Sequence, residues 1–385
     1  MNERLRRWRL ALGGEKDSGS SGLSERDQRL DRALAMLYEQ SSGGGSKGGL
    51  GASAPRVARW LGDIREFFPS SIVQVIQKDA FTRLGLKQML LEPEFLAAAE
   101  ADVHLVADLI SLRNVMPNKT KAIARQVIEK VVRELLAKLE KRTVETIRGA
   151  VRRGPRTSRP CFADIDWDRT IRANLKHWQP EYATLAPERL IGRSRKAERA
   201  NLHRIILCVD QSGSMATSVV YASIFSAVLA SIPALSTKLV TFDTVILDLT
   251  DQLADPVEVL FGVQLGGGTD INQALAYCER YVEEPHKTQL ILISDLFEGG
   301  NAEQMLARAQ SLVSAGVNVI ALLALSDDGR PGYDAKHAAA FAAMGCPVFA
   351  CTPDQFPDLM AAALKRENLN TWAADRDIAL VRPQA

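Results

Sequence analysis

The 385-residue sequence predicts a doubly wound α/β fold over residues 204–366, a mainly parallel sheet with helices on both faces, preceded by an all-helical module. Three observations predict it. From residue 204, short apolar runs ("RIILCVD", "KLVTFDTVILDL", "QLILISDL", "VNVIALLAL", "PVFAC") alternate with helical stretches such as "ASIFSAVLASIPAL", "INQALAYCERYVEE" and "AEQMLARAQSLVSAG". Such alternation implies right-handed crossovers and parallel strands buried on both faces. Residues 55–153 instead carry helical spacing throughout. Charge divides the chain in the same sense: residues 1–200 hold 37 of the 48 lysines and arginines against 25 of the 46 acidic residues, a net +12 against −10 for the remainder. Two modules with different surfaces follow, the basic one able to meet an acidic protein or nucleic acid.

Taken in order, residues 1–40 read as a basic N-terminal helix. Within them, "LSERDQRLDRALAMLYE" opens on a Ser24 cap and sets Leu30, Leu34 and Leu37 at helical spacing. Such a helix either docks a partner or packs on the next domain. Residues 41–54, "SSGGGSKGGLGASA", have almost no side chain to bury and read as a flexible linker. Residues 55–153 form the helical domain. Its last segment, after Pro117, runs for roughly nine turns, with Ile123, Val127 and Val131 in one row and Ile128, Val132, Leu135 and Leu139 beside it. The lysines and arginines on its other side make either a solvated face or a partner surface.

Residues 154–203 read as a basic, strand-rich connector, since Pro155, Pro160, Pro180 and Pro187 forbid long helices. "RTIRANLKHW" alternates Ile171, Ala173, Leu175 and His177 with Arg172, Asn174 and Lys176, a strand pattern for which "PERLIGRSR" offers a partner. Trp167 and Trp178, set among basic residues, either stack bases or seal this hairpin against a domain. Residues 204–366 make the α/β domain, and residues 367–385 a C-terminal tail.

Five scattered cysteines, Cys161, Cys208, Cys278, Cys346 and Cys351, argue against a secreted disulfide framework and form no metal motif. Cys346 and Cys351 bracket "PVFA", a strand with two buried thiols. No run of about 18 apolar residues is expected to span a bilayer, and "MNERLRRWRLALGG" lacks the apolar stretch of a signal peptide. The expected location is cytoplasmic.

Sheets of this kind bind ligands at the carboxyl ends of their strands. Three such ends carry short oxygen donors: Asp210, Ser212 and Ser214 in "VDQSGSM", Thr269 and Asp270 in "LGGGTDI", and Asp295 in "LILISDLFEGG". One such turn is ordinary helix capping, but three on one sheet edge point to a hard-cation site. Carboxylates and hydroxyls suit Mg²⁺ or Mn²⁺. With so few protein charges, a coordination position is left for a carboxylate from outside.

These residues resemble a known motif. "DQSGSM", "GGGTD" and "LISD" resemble the complete metal-ion-dependent adhesion site of von Willebrand factor A (VWA) domains: Asp-x-Ser-x-Ser, a distant Thr and a distant Asp. The resemblance covers about residues 204–366. It implies that Asp210, Ser212, Ser214, Thr269 and Asp295 hold the ion directly or through water, and that an Asp or Glu of a partner completes the shell. "TIRANLKHW", "PERLIGRSR", "CVDQSGSM" and "VQLGGGTDINQAL" further resemble the bacterial CoxE-like branch, whose members are encoded beside MoxR-type AAA+ ATPases. That implies an adaptor or client-binding partner of such an ATPase in a chaperone-like assembly or metal-insertion system.

Catalysis is not expected. Ser212 and Ser214 do not sit in G-x-S-x-G, and the histidine nearest in sequence, His203, lies at the far end of its strand. No phosphate loop occurs, and Asp270 is the only nearby base for a metal-activated water. The rival is a Ro-like RNA-binding protein, in which a VWA domain also joins a helical module and the basic half would meet RNA. Against it, the charge is spread along the chain and no RNA-binding motif appears.

Overall fold

The computed structural model describes Gln28, part of residues 60–100, residues 101–151, most of 156–193, and residues 203–381 apart from 264 and 327–331. Beyond the helical Gln28, the expected N-terminal helix lies outside the described residues, as does the 41–54 tract. The chain divides into two compact units, Met1–Val131 and Val132–Ala385.

In the first unit, α1 (Val103–Leu112) is capped by Asp102, whose carboxylate accepts the Leu105 N–H at 2.7 Å. The Thr120 hydroxyl donates to the Leu91 carbonyl (2.6 Å), and the buried Gln77 amide exchanges two hydrogen bonds with the Glu100 backbone. The expected long helix is α2 (Asn118–Val151), 34 residues without interruption. Ile128, Val131, Val132 and Leu139 are buried, as their spacing requires.

The connector departs from its expected form. Most of "RTIRANLKHW" lies in a helix, α3 (Trp167–Asn174), and the turn after it, with only its last residue, Trp178, in a strand. Asp166 caps the helix by accepting the Arg169 N–H (3.1 Å), and Asp168 lies in its first turn, where the helix dipole favours an anion. Those start signals outweigh an alternation that counted Ala173 and His177 as apolar. Only two-residue strands remain: β1 (Arg156–Thr157), β2 (Trp178–Gln179), β3 (Thr184–Leu185) and β4 (Gly192–Arg193), paired antiparallel as β1 with β4 and β2 with β3.

The main sheet follows. β5 (His203–Asp210) leads through α4 (Ala216–Ala230) to β6 (Leu235–Phe242), which turns back as the short edge strand β7 (Ile246–Asp248). After α5 (Pro256–Gly262) and α6 (Ile271–Cys278), the chain returns to the other side of β5 as β8 (Thr288–Ile293). The units α7 (Ala302–Ser314) with β9 (Asn318–Leu325), and α8 (Ala335–Ala343) with β10 (Val348–Cys351), extend that side. The six-stranded order is β10-β9-β8-β5-β6-β7, parallel except for β7. The chain reverses direction across the sheet between β6 and β8, so the crevice outside the ends of β5 and β8 is the switch point where ligands bind in such sheets.

Both faces are covered, which is why the strands read as continuous apolar runs and not as alternation. On one face Ile206, Cys208, Leu290 and Leu292 pack with Ile271, Leu275, Met305 and Phe341. On the other, α4 lies against β5, β6 and β9, and Phe225 stacks on Phe356 at 4.5 Å. The expectation that no stretch could span a bilayer needs correction: Gly213–Ala230, with mean hydropathy 1.5 over 18 residues, passes by length and composition. Its apolarity is accounted for by packing, since 67% of it is buried. Residues 367–381 are more than a tail. α9 (Phe356–Leu364) is followed by α10 (Leu369–Ala374), which buries Trp372, and Leu380 bridges to Phe349 beside β10.

At the sheet edge, Asp248 accepts hydrogen bonds from Tyr277 (3.0 Å), from Tyr281 and from the Thr250 N–H (3.0 Å). Burial alone would raise this carboxyl, but the hydrogen bonds from Thr250, Tyr281 and Tyr277 outweigh it and hold the carboxyl below the usual range. A depressed folded value adds stability above the unfolded pKa of about 3.9, and that stability is lost as pH falls through the folded value. The melting-temperature gap between the wild type and Asp248→Asn is therefore expected to be constant from pH 5 to 7 and to close in more acid solution. Thermal unfolding at a series of pH values checks this.

Candidate metal centre

Asp210 is the last residue of β5 and is fully buried. One of its oxygens accepts the Ser212 N–H (2.8 Å), and the other accepts the Ser294 hydroxyl (2.8 Å). The chain then makes a single tight turn, Gly213–Met215, and enters α4. The Ser212 and Ser214 hydroxyls lie 3.2 Å apart, and Ser214 donates to an Asp295 oxygen at 2.6 Å. Asp295, two residues past β8, is 6% exposed. A hydrogen-bonded path thus runs from Asp210 to Asp295 across the switch-point crevice.

Thr269 joins through its backbone. Its carbonyl accepts the Gly299 N–H at 2.7 Å, which ties its loop to the one following Asp295. Among the described residues its hydroxyl makes no hydrogen bond to the other four. The loop is pinned further by Gly266 N–H to the Gln211 carbonyl (3.2 Å) and Asp270 N–H to the Asp243 carbonyl (2.8 Å). Glycine is required in two places. At Gly267, φ is 101° and a Cβ would stand 2.9 Å from the Asp243 carboxylate. At Gly299 a Cβ would stand 2.9 Å from the Thr269 carbonyl oxygen.

Burial pushes the Asp210 carboxyl up to about 6; hydrogen bonds from Ser212 and Ser294 oppose the rise, and the Asp295 charge adds to it. Two desolvated carboxylates joined by hydroxyls are a donor set of hard oxygens carrying uncompensated negative charge. That chemistry fits Mg²⁺ or Mn²⁺ and not a softer metal. Among the described residues no group of three or more His, Cys, Asp or Glu side chains converges on a metal-binding arrangement, here or elsewhere; the candidate donors at this edge are two carboxylates and hydroxyls.

Asp270, the only candidate base in the sequence, is engaged as the cap of α6, accepting the Gln273 N–H at 2.8 Å. Three residues at this edge escaped the sequence reading. Ser294 reaches across to Asp210 from the position before Asp295. Glu298 accepts the Ile271 N–H (2.7 Å) and the Gly300 N–H (3.0 Å), with burial raising its carboxyl. His337, 41 residues from Leu296, bonds through Nδ1 with the Leu296 carbonyl at 2.9 Å. Leu296 has φ 63°, a left-handed conformation that costs roughly 1–2 kcal/mol in a side-chain-bearing residue. The histidine holds the strained turn that carries Asp295. The "SD" and "EGG" near the strand end were the available signals for Ser294 and Glu298; nothing local marked His337.

Around the crevice, Val245 on the β6–β7 turn and Phe297 beyond Asp295 are 66% and 52% exposed, and Tyr333 is exposed beside Asp334, whose N–H bonds the Asp295 carbonyl. The edge is a polar centre flanked by exposed apolar side chains.

A family model described as "VWA domain containing CoxE-like protein" matches residues 135–360, a span that includes the second half of α2 and the connector as well as the sheet. The chain is 34% identical over 365 residues to the uncharacterized protein YehP of Escherichia coli (strain K12), covering 94% of its own length and 97% of that relative's. Among solved structures, a von Willebrand factor type A protein from Catenulispora acidiphila is 15% identical with a TM-score of 0.33, covering 44% of this chain and 43% of that one. The Ro (RSR) protein of Deinococcus radiodurans is 13% identical with a TM-score of 0.27, covering 84% of this chain and 65% of that one. Likenesses this remote say nothing of ligands or partners. The family match over more than half the chain and the end-to-end similarity to one relative agree: the chain belongs to the VWA domain containing CoxE-like proteins.

Proposed function

We propose that the chain is a metal-dependent protein interaction module, the adaptor or client-binding partner of a MoxR-type AAA+ ATPase in a chaperone-like assembly or metal-insertion system. Membership of the CoxE-like VWA family supports the interaction role and a non-catalytic one; the ATPase partner and the metal are the further steps proposed. The hydrogen-bonded path from Asp210 through Ser212 and Ser214 to Asp295 carries the reading. In it Asp210, Ser212, Ser214, Thr269 and Asp295 hold a Mg²⁺ or Mn²⁺ ion, which supplies an open coordination position for a client's Asp or Glu. The Ser294 hydroxyl and the Ser212 N–H orient Asp210, and Ser214 orients Asp295. The exposed Val245 and Phe297 flank the site, so the client's acidic residue is read together with apolar neighbours.

A hydrolytic role is disfavoured because neither serine hydroxyl bonds a histidine among the described residues, and Asp270 is committed to its cap. The family match offers nothing for the RNA-binding alternative. A cytoplasmic location is part of the proposal and rests on the scattered spacing of the cysteines in the sequence.

The proposal divides labour, with the basic N-terminal half docking the ATPase and the metal face holding the client. Native lysate passed over the immobilised full-length chain should yield a client with Mg²⁺ and none with EDTA, while ATPase retention is unchanged. Phe297→Ala should weaken client binding about tenfold or more, the loss of one interface anchor. Capture indifferent to EDTA, or ATPase binding lost with the metal, would sink this reading.

A further inference from the structure

The helix α3 is built inside out. Its buried residues are the polar Thr170 and Asn174. The Thr170 hydroxyl donates to the Ile191 carbonyl (3.2 Å) and accepts the Ile191 N–H (3.0 Å). The Asn174 amide donates to the Arg189 carbonyl (2.8 Å) and accepts the N–H groups of Glu188 and Arg189 (3.0 and 3.1 Å). These bonds clamp residues 188–191 and use up the polar face.

The apolar side chains are left outside. Trp167, Ile171, Leu175 and Trp178 are 46%, 45%, 60% and 51% exposed. The first three recur every four residues, along one side of α3 and into the turn that continues it. Phe162, also exposed, packs edge-on against Trp167 at 5.8 Å. The indoles therefore do not seal a hairpin, as one reading of the sequence had it. A continuous exposed apolar stripe of this kind marks an interaction site. The described residues 162–189 balance Asp166, Asp168, Glu181 and Glu188 against Arg169, Arg172, Lys176 and Arg189, too even a surface to draw a phosphate backbone. The aromatic content suits a protein.

We propose that this stripe is a two-fold interface with a second copy of the chain, the α3 helices packing antiparallel about Ile171. The argument is self-complementarity. Asp166 and Asp168 lie at the start of the helix, and Arg172 and Lys176 at its end. Asp168 and Arg172 flank the stripe one turn apart, both exposed and neither ion-paired among the described residues. A two-fold axis through Ile171 sets Trp167 against the partner's Leu175 and Asp168 beside the partner's Arg172, once at each end, as an isologous contact requires. A parallel pairing would instead oppose like charges.

Sedimentation equilibrium of the full-length chain over a wide concentration range tests it. The wild type is expected to dimerise. Ile171→Asp should raise the dissociation constant at least about 30-fold, the effect of losing a central anchor. Asp168→Arg and Arg172→Asp should each weaken the dimer by setting like charges together, and the two combined should restore it. Since both positions are exposed, these variants keep the fold even if Ile171→Asp does not. A wild type that stays monomeric, with or without binding an oligonucleotide, or a dimer indifferent to the single reversals, overturns the proposal.

Discussion

Asp210→Asn is expected to abolish divalent-cation binding while the domain stays folded. The carboxylate is fully buried and accepts both the Ser212 N–H and the Ser294 hydroxyl. Asparagine keeps an oxygen for the Ser212 N–H, and its amide can donate to the Ser294 oxygen. Alanine would leave both unpaired, at a cost of about 1–3 kcal/mol each. The neutral side chain also escapes the burial penalty that raises the wild-type carboxyl to about 6. At pH 7 the metal-free variant should therefore melt no lower than the metal-free wild type. Mg²⁺ at a hundred times its dissociation constant should stabilise the wild type by about 2.7 kcal/mol, or roughly 5–10 °C for a domain of this size. The variant should gain nothing. Calorimetric titration with Mg²⁺ and Mn²⁺, followed by thermal unfolding with and without each ion, measures both effects. Equal heats from the two proteins would remove the cation from this edge.

The largest loss of stability is expected from Phe242→Ala. This ring is fully buried at the end of β6, in the core cluster with Ile206, Cys208 and Ile271. Truncating such a side chain removes its transfer free energy and leaves a cavity, together about 3–5 kcal/mol. The melting temperature should fall by roughly 6–20 °C. Because the Phe242 carbonyl accepts the Gln211 N–H (2.9 Å), a cavity here also loosens the turn carrying Ser212 and Ser214. Metal affinity should fall along with stability, whereas Asp210→Asn removes affinity alone. Chemical denaturation of both variants separates the two cases: a Phe242→Ala protein as stable as wild type would mean that this end of the sheet is not packed as described.

Much of this was legible in the chain. Strands buried on both faces must be continuously apolar, and crossover helices must show one apolar side, so "RIILCVD" and "AEQMLARAQSLVSAG" declared their roles. A parallel sheet also places every strand's carboxyl end on one edge. Asp210, Ser212, Ser214 and Asp295 could therefore be assigned to one neighbourhood before any coordinate, and the fold joins them in one path. The spacing of α2 likewise named its inward side, with Ile128, Val131, Val132 and Leu139 buried and Ile123, Val127 and Leu135 half-buried.

The connector shows where local pattern stops. Alternation over "RTIRANLKHW" looked like a strand because Ala173 and His177 were counted on its apolar side, yet the Asp166 cap and the bonds of Thr170 and Asn174 make it a helix. Periodicity can say that one side differs from the other, but not which side meets the protein. Here the polar side does.

The sequence by itself determined the doubly wound sheet, its apolar strands and the oxygen donors at their ends, because each depends on residues close together in the chain or on rules that all such sheets obey. Only the tertiary structure decided that Ser294 serves Asp210, that His337 holds the turn at Leu296, that Glu298 joins Asp270 at the start of α6, and that the stripe on α3 faces outward. Each of these depends on which distant backbone group or surface a side chain meets, and that pairing is made by packing between elements, which no local spacing records.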